Sequence, residues 1–186
     1  GGAGNGHMLS NASSGGVIKP FINEAFCVNL EPEGAAVEAV GEVNILPCAI
    51  GADGQQQHWE RDGLLLRYKI NRDYCLSLNY AGVIVLARCQ SGDDPAQDWV
   101  LEEAGDPDDA DYAGAWNIKY FTHINFCLTV NRTKVENGPL EGANLNLETC
   151  DGSTSQMWLL QPASVQGATH LVTRLVADEA GSRARK

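Results

Sequence analysis

The sequence has few basic residues and lacks long apolar runs. Lys and Arg total 13 against 24 Asp and Glu, so the 186-residue chain carries a net charge of −11. This balance argues against a general nucleic-acid binder, which needs a basic face, and against adhesion to anionic membranes. No apolar run approaches the roughly 18 residues that a membrane span requires. We therefore expect neither nucleic-acid binding nor membrane insertion.

Motifs that would carry catalysis or hold a metal are also missing. The sequence contains no GxSxG elbow, P-loop, dinucleotide fingerprint or HExxH pattern. None of the cysteines forms a CxxC pair, which argues against zinc ribbons and thioredoxin-like sites. Residues 102–111 are rich in carboxylates but lack the EF-hand spacing, so we interpret them as a solvated linker rather than a calcium loop. The sequence predicts a non-enzyme without metal or cofactor.

The composition that remains is typical of one all-β domain. The length matches about one domain of roughly 150 residues. Hydrophobic residues make up 44% of the chain, which is too high for a disordered protein. The 20 glycines, together with many Asn and Asp, indicate frequent turns.

The six cysteines are widely spaced. They are Cys27, Cys48, Cys75, Cys89, Cys127 and Cys150. An even number at wide spacing favours disulfides, and therefore an oxidising compartment. The alternative is six reduced thiols buried in a cytosolic core.

An internal repeat is the strongest pattern in the sequence. A Gln-x-Trp motif occurs three times, at Gln57–Trp59, Gln97–Trp99 and Gln156–Trp158. Each motif follows a pair of cysteines, and the first cysteine of each pair follows an aromatic residue and precedes an alternating apolar run. The repeats occupy 16–62, 63–104 and 114–162, with a linker at 105–113. Three such units must share a core, in which we expect Trp59, Trp99 and Trp158 to be buried.

The ends of the chain depart from the repeat. Residues 1–15 are expected to be an expression scar or flexible terminus. Residues 163–186 form a C-terminal extension, in which the apolar spacing predicts one amphipathic helix around 168–179.

These motifs resemble the ricin-type (R-type) lectin domain. The resemblance covers about 16–162 and implies a β-trefoil, with a six-stranded barrel closed by three hairpins. It also implies pairing of the two cysteines within each repeat: Cys27–Cys48, Cys75–Cys89 and Cys127–Cys150.

The resemblance also implies a sugar pocket in each repeat. Sugar-binding members have a carboxylate two residues after the first cysteine, an aromatic often two before the second, and an Asn just before Gln-x-Trp. Here the first position holds Asn29, Ser77 and Thr129, the second Leu46, Ala87 and Glu148, and the third Gln56, Ala96 and Ser155. The second repeat has lost every element, whereas the first keeps amides and the third is polar. The candidate carbohydrate ligands are Asn29, Asp53, Gln56, Gln57, Thr129, Asn131, Glu148, Asp151 and Gln156.

The third repeat begins with several aromatic residues. Tyr120 matches Tyr68 in the repeat, which favours a structural role for both. Tyr112, Trp116 and His123 are then the candidates for an exposed aromatic platform, with core packing as the alternative.

The predicted function is a secreted, non-catalytic lectin-like module with degenerate sugar pockets, whose ligand is a glycan or glycoprotein. The alternative is a lectin-like protein-interaction module of a toxin or multi-subunit assembly, with a protein partner subunit. A protease inhibitor of the other trefoil family fits the length and disulfides less well, because such inhibitors lack the three Gln-x-Trp motifs.

Overall fold

The structure consists of antiparallel β-strands joined by turns. It is a computed structural model that describes residues 16–31, 41–49, 56–90, 95–105, 109–131 and 140–162. The strands are β1 (Gly16–Pro20), β2 (Phe26–Glu31), β3 (Gly41–Pro47), β4 (His58–Asp62), β5 (Leu65–Tyr68), β6 (Tyr74–Leu78), β7 (Ile84–Arg88), β8 (Trp99–Glu103), β9 (Ala115–Tyr120), β10 (His123–Val130), β11 (Ala143–Thr149) and β12 (Met157–Pro162). Within these ranges no helix has the length and apolarity to cross a bilayer. The expectations for 1–15, Asp53 and 163–186 lie outside the described residues.

Six strands form a closed barrel. Strand β1 pairs with β12 and β4, β4 with β5, β8 with β9, and β9 with β12. The amide of Trp99 donates to the carbonyl of Leu64 at 2.9 Å, which joins β8 to the start of β5 and closes the ring. Each repeat thus contributes its first and last strands to the barrel.

Three hairpins close one end of this barrel. They are β2–β3, β6–β7 and β10–β11. Strand β3 pairs with both β11 and β7, and a bridge between Val83 and Asn146 joins the remaining two hairpins. This arrangement confirms the predicted β-trefoil.

The three repeated tryptophans fill the centre of the core. Trp59, Trp99 and Trp158 are no more than 1% exposed. Each indole N–H donates to the carbonyl of the residue after the first cysteine of its repeat, at 3.0–3.1 Å; these carbonyls belong to Val28, Leu76 and Leu128. The bond satisfies the polar atom that burial of a tryptophan would otherwise leave unpaired.

The glutamine of each motif holds the chain around a disulfide. The disulfides join Cys27–Cys48, Cys75–Cys89 and Cys127–Cys150, the pairs that the family resemblance implies. In the second repeat, Gln97 accepts from the Gln90 amide at 2.9 Å and donates to the Arg88 carbonyl at 2.8 Å. Equivalent bonds are made by Gln57 with Ala49 and Pro47, and by Gln156 with Asp151 and Thr149. The three disulfides suit an oxidising environment.

The junctions between repeats differ in length. Strands β4 and β5 are joined by the two-residue turn Gly63–Leu64, in which Gly63 has a φ of +60°. Strands β8 and β9 are instead separated by residues 104–114, of which 104–105 and 109–114 are described. This insertion contains the predicted linker 105–113.

Candidate functional site

On the first-repeat hairpin, the sugar-pocket position is internally bonded. Asn29 is 3% exposed, and its Nδ2 donates to Oδ1 of Asn44, directly opposite on β3, at 3.3 Å. Leu46, at the family's aromatic position, faces Cys27. Gln56 is exposed at the rim. Much of the polar capacity of Asn29 is therefore used inside the protein, which leaves Gln56 as the accessible amide.

The second-repeat hairpin has an apolar face. Ser77 is buried, and its hydroxyl donates to the Ala96 carbonyl at 3.5 Å. Val85 and Ala87 occupy the facing positions on β7. This environment fits a structural role for the repeat.

The third-repeat hairpin has a polar face around a buried hydroxyl. Thr129 is fully buried; its hydroxyl donates to the Cys127 carbonyl at 2.9 Å and accepts from Gln156 Nε2 at 3.2 Å. By strand alternation, the residues that share its face are Asn131, Asn144, Asn146 and Glu148. Asn144 is exposed and the other three are half-buried. We define these four residues as the third-repeat face.

The remaining predicted ligands lie beside or beneath these faces. Gln57 and Gln156 are 3% and 0% exposed, and their amides bind backbone as described above. Asp151 is exposed, and its Oδ1 accepts from the Ser153 amide at 2.9 Å. The two glutamines therefore support the hairpins from below, whereas Asp151 stands at the edge of the third.

A cleft of about 390 Å³ lies beside the second disulfide, where sequence reasoning proposed no site. It is lined by Arg67, Asp73, Arg88, Cys89 and Gln90. Arg67 binds Asp62 through Nε at 2.8 Å and donates to the Arg72 carbonyl at 2.8 Å. The charge of Arg67 is thus already balanced by Asp62. The signal in the sequence was the concentration of arginines between 61 and 88.

The turn between β9 and β10 carries an aromatic stack. The rings of Tyr120 and His123 are stacked with centroids 6.0 Å apart, and Phe126 meets His123 edge-on at 6.4 Å. Phe121 in this turn and Ile124 at the start of β10 are 48% and 59% exposed. In the other two repeats an asparagine replaces the histidine: Asn23 and Asn71, whose Oδ1 atoms each accept a backbone amide at 3.1 Å. The third turn is therefore stabilised by rings and displays apolar side chains.

The insertion between β8 and β9 forms a second cleft, of about 220 Å³. Its lining includes Glu103, Asp109, Tyr112 and Trp116. The segment predicted as a linker contains a 3-10 turn at Ala110–Tyr112, and the Tyr112 ring packs 5.9 Å from Phe21. Among the described residues, no three His, Cys, Asp or Glu side chains converge as metal ligands.

Comparison with known proteins finds solved structures that share the β-trefoil fold of this chain. No family model and no curated protein sequence matches it. Solved structures do match, among them the C-half of an earthworm R-type lectin in complex with GalNAc, with a TM-score of 0.62, 14% identity, and coverage of 80% of this chain and 98% of that one. The β-trefoil lectin of the Vibrio vulnificus hemolysin, with N-acetyl-D-lactosamine bound, matches with a TM-score of 0.57, 18% identity and coverage of 80% and 94%. A mosquitocidal holotoxin matches with a TM-score of 0.59, 16% identity and coverage of 80% and 17%.

At these identities the shared property is the fold. The resemblance to R-type β-trefoil lectins that the sequence predicts is confirmed at that level.

Proposed function

We propose that this chain is a non-catalytic carbohydrate-recognition module that works in a secreted, extracellular setting. The observation that carries the proposal is the third-repeat face, Asn131, Asn144, Asn146 and Glu148, on a fold that other chains use in sugar-bound lectins. The three disulfides support the oxidising setting.

The chemistry of this face suits a sugar. Sugar hydroxyls both donate and accept, and an asparagine amide does the same through its oxygen and nitrogen. Glu148 adds a charged acceptor, which makes stronger hydrogen bonds than a neutral one. Thr129, on the same side of the hairpin, is fully buried and fixed by its hydrogen bonds with Cys127 and Gln156.

The same face also explains why the binding would be weak. Glu148 stands where the sugar-binding members of the family carry a ring, so the apolar side of a pyranose gains no stacking partner there. We expect a single site to bind a monosaccharide at about 0.1–1 mM, or roughly −4 to −5.5 kcal/mol. Useful affinity would then come from several sites acting together.

The first repeat is proposed as a second, smaller subsite. Its accessible amide is the exposed Gln56, the predicted ligand Asp53 is assigned to the same subsite, and the buried Asn29 keeps the hairpin in shape. The second repeat is proposed to be structural only.

A glycan array with single-site variants tests the proposal. We expect the wild type to give reproducible hits that share a terminal sugar, with and without a calcium chelator. Asn146→Ala and Glu148→Gln should each lower those signals, because they remove a polar group from the third-repeat face. Ser77→Ala is the matched control, since it alters the corresponding hairpin in the repeat without candidate ligands. A blank array for folded wild-type protein would contradict the proposal, and hits that survive both variants would place the site elsewhere.

A second candidate function is a lectin-like module that binds a protein, as in a toxin or multi-subunit assembly. The exposed apolar side chains of Phe121 and Ile124, three residues apart at the β9–β10 turn, favour it, because exposed apolar patches mark interaction sites. A blank array, combined with a co-purifying protein that Ile124→Glu loses, would support this function. Ile70→Glu is the matched control, because Ile70 is 50% exposed in the corresponding turn of the second repeat.

A further inference from the structure

The cleft at the junction of the second and third repeats is built by an insertion. Glu103 and Trp116 face each other across β8 and β9, and twelve residues of the sequence lie between them. At the preceding junction Asp62 and Leu65 face each other, with two residues between them. Closing the barrel therefore needs only a two-residue turn, so the additional residues are not required by the fold.

The described walls of this cleft are held by packing. Asp109 caps the 3-10 turn by accepting the Asp111 amide at 3.0 Å. The turn places Tyr112 against Phe21 and against Gly105, where a Cβ atom would lie 2.9 Å from the Cβ of Tyr112. Gly105 has a φ of +76°, so both its backbone conformation and its lack of a side chain are needed.

Trp116 differs from the other three tryptophans. It is half-buried, packs against the main core and also lines the cleft. The corresponding position is Leu64 in the second repeat and Gly16 in the first. The repeat therefore does not require a tryptophan at this position.

The charges around the cleft favour a cation. The described lining contains two carboxylates, Glu103 and Asp109, and no basic side chain. The nearby Lys119 binds Glu102 at 2.8 Å, on the neighbouring position of β8. Aromatic faces also attract cations through their quadrupole, and tryptophan does so most strongly. The two carboxylates would repel an anionic ligand and attract a cationic one.

We propose that the cleft lined by Trp116, Tyr112, Glu103 and Asp109 binds an organic ammonium cation, such as a choline or other alkylammonium group. Its volume of about 220 Å³ suits a small head group of this kind. The rings would contact the methyl or methylene groups, and the carboxylates would balance the charge. This inference does not depend on carbohydrate binding.

Calorimetric titration with tetramethylammonium chloride and choline chloride tests the inference. We expect saturable binding to the wild type above a sodium chloride control of equal ionic strength. Trp116→Leu, which introduces the residue found in the preceding repeat, should weaken binding roughly three- to thirtyfold, the range of one cation–π contact. Glu103→Gln should weaken it about two- to fivefold, as expected for one solvent-exposed ion pair.

Two controls make the outcome decisive. Glu102→Gln changes the adjacent carboxylate that lies outside the described lining and should leave the affinity unchanged. The neutral isostere 3,3-dimethylbutanol should bind much more weakly than choline. Absence of saturable binding, equal binding of the isostere, or an unchanged affinity in Glu103→Gln would each overturn the inference. A methyl glycoside that binds the cleft in place of choline would also overturn it. Because the glycan array concerns the hairpin faces, either proposal can fail alone.

Discussion

Replacing Trp99 with alanine is expected to destabilise the protein strongly. Trp99 is 1% exposed, and an aromatic side chain buries about 150–250 Å², which corresponds to an upper limit of about 4–6 kcal/mol at 25 cal/mol per Å². Its indole bond to Leu76 adds about 1 kcal/mol, and its contact with Tyr120 at 5.9 Å adds about 0.5–1.5 kcal/mol. Partial relaxation of the cavity offsets part of this sum, so we expect a loss of about 3–5 kcal/mol.

Urea unfolding of the oxidised protein measures this loss. The midpoint should fall while the slope with denaturant stays constant, because the surface exposed on unfolding is nearly the same. In a thermal scan the same loss would lower Tm by roughly 6–20 °C for a domain of this size. Trp59→Ala and Trp158→Ala should behave alike, since the repeat gives all three rings the same burial and the same hydrogen bond.

Two comparisons would refute the reasoning. Trp99→Phe keeps most of the apolar volume and should cost less than Trp99→Ala. Trp116→Leu removes a tryptophan that is only half-buried and should also cost less. A loss below about 1 kcal/mol in Trp99→Ala, or an equal loss in Trp116→Leu, would mean that the repeated tryptophans do not form the centre of the core.

The remaining predictions concern the glutamines and a histidine. Gln97→Ala should lower the free energy of unfolding in urea by about 1–2 kcal/mol. Gln156→Ala should lower it by about 1 kcal/mol more, because Gln156 also donates to Thr129. Equal losses would show that the bond to Thr129 does not contribute to stability. Burial, followed by the charge of Lys69, lowers the pKa of His58 below 6.5, so the folded state binds this proton less readily than the unfolded chain. The free energy of unfolding should therefore decrease as the pH falls below about 6.5 towards the pKa of His58 in the folded state. His58→Gln should lack this part of the decrease. Identical stability–pH profiles for the wild type and the variant would contradict the role of His58.

The fold could be predicted because its determinants recur in register. A single Gln-x-Trp motif would carry little information, but three copies at fixed distances from three cysteine pairs require equivalent environments. The structure shows why these positions are restricted. The glutamine must bridge the two backbone groups around the disulfide, and the tryptophan must reach a buried carbonyl.

The site could be predicted only in part, because burial and pairing depend on neighbouring strands. The sequence predicts that the Asn29 amide can bind a sugar. In the structure, the register of β2 and β3 places Asn29 opposite Asn44, and the two side chains are hydrogen-bonded. Thr129 likewise lies on the third-repeat side of its hairpin but is fully buried there. The segment 105–113 lacks periodicity and looks like a linker, yet a capped turn and the contact between Tyr112 and Phe21 give part of it a definite place.

Positions that break the three-fold pattern are therefore the most informative about function. A residue that recurs in all three repeats satisfies the shared core, and its presence says little about a ligand. Trp116 in place of Leu64, and Glu148 in place of Leu46, cannot be explained in that way, because another repeat has an apolar side chain at the corresponding position. These substitutions introduce a ring and a carboxylate at accessible positions while the scaffold stays unchanged. Recognition by this trefoil should therefore follow its asymmetric residues, and variants at the symmetric positions should act through stability alone.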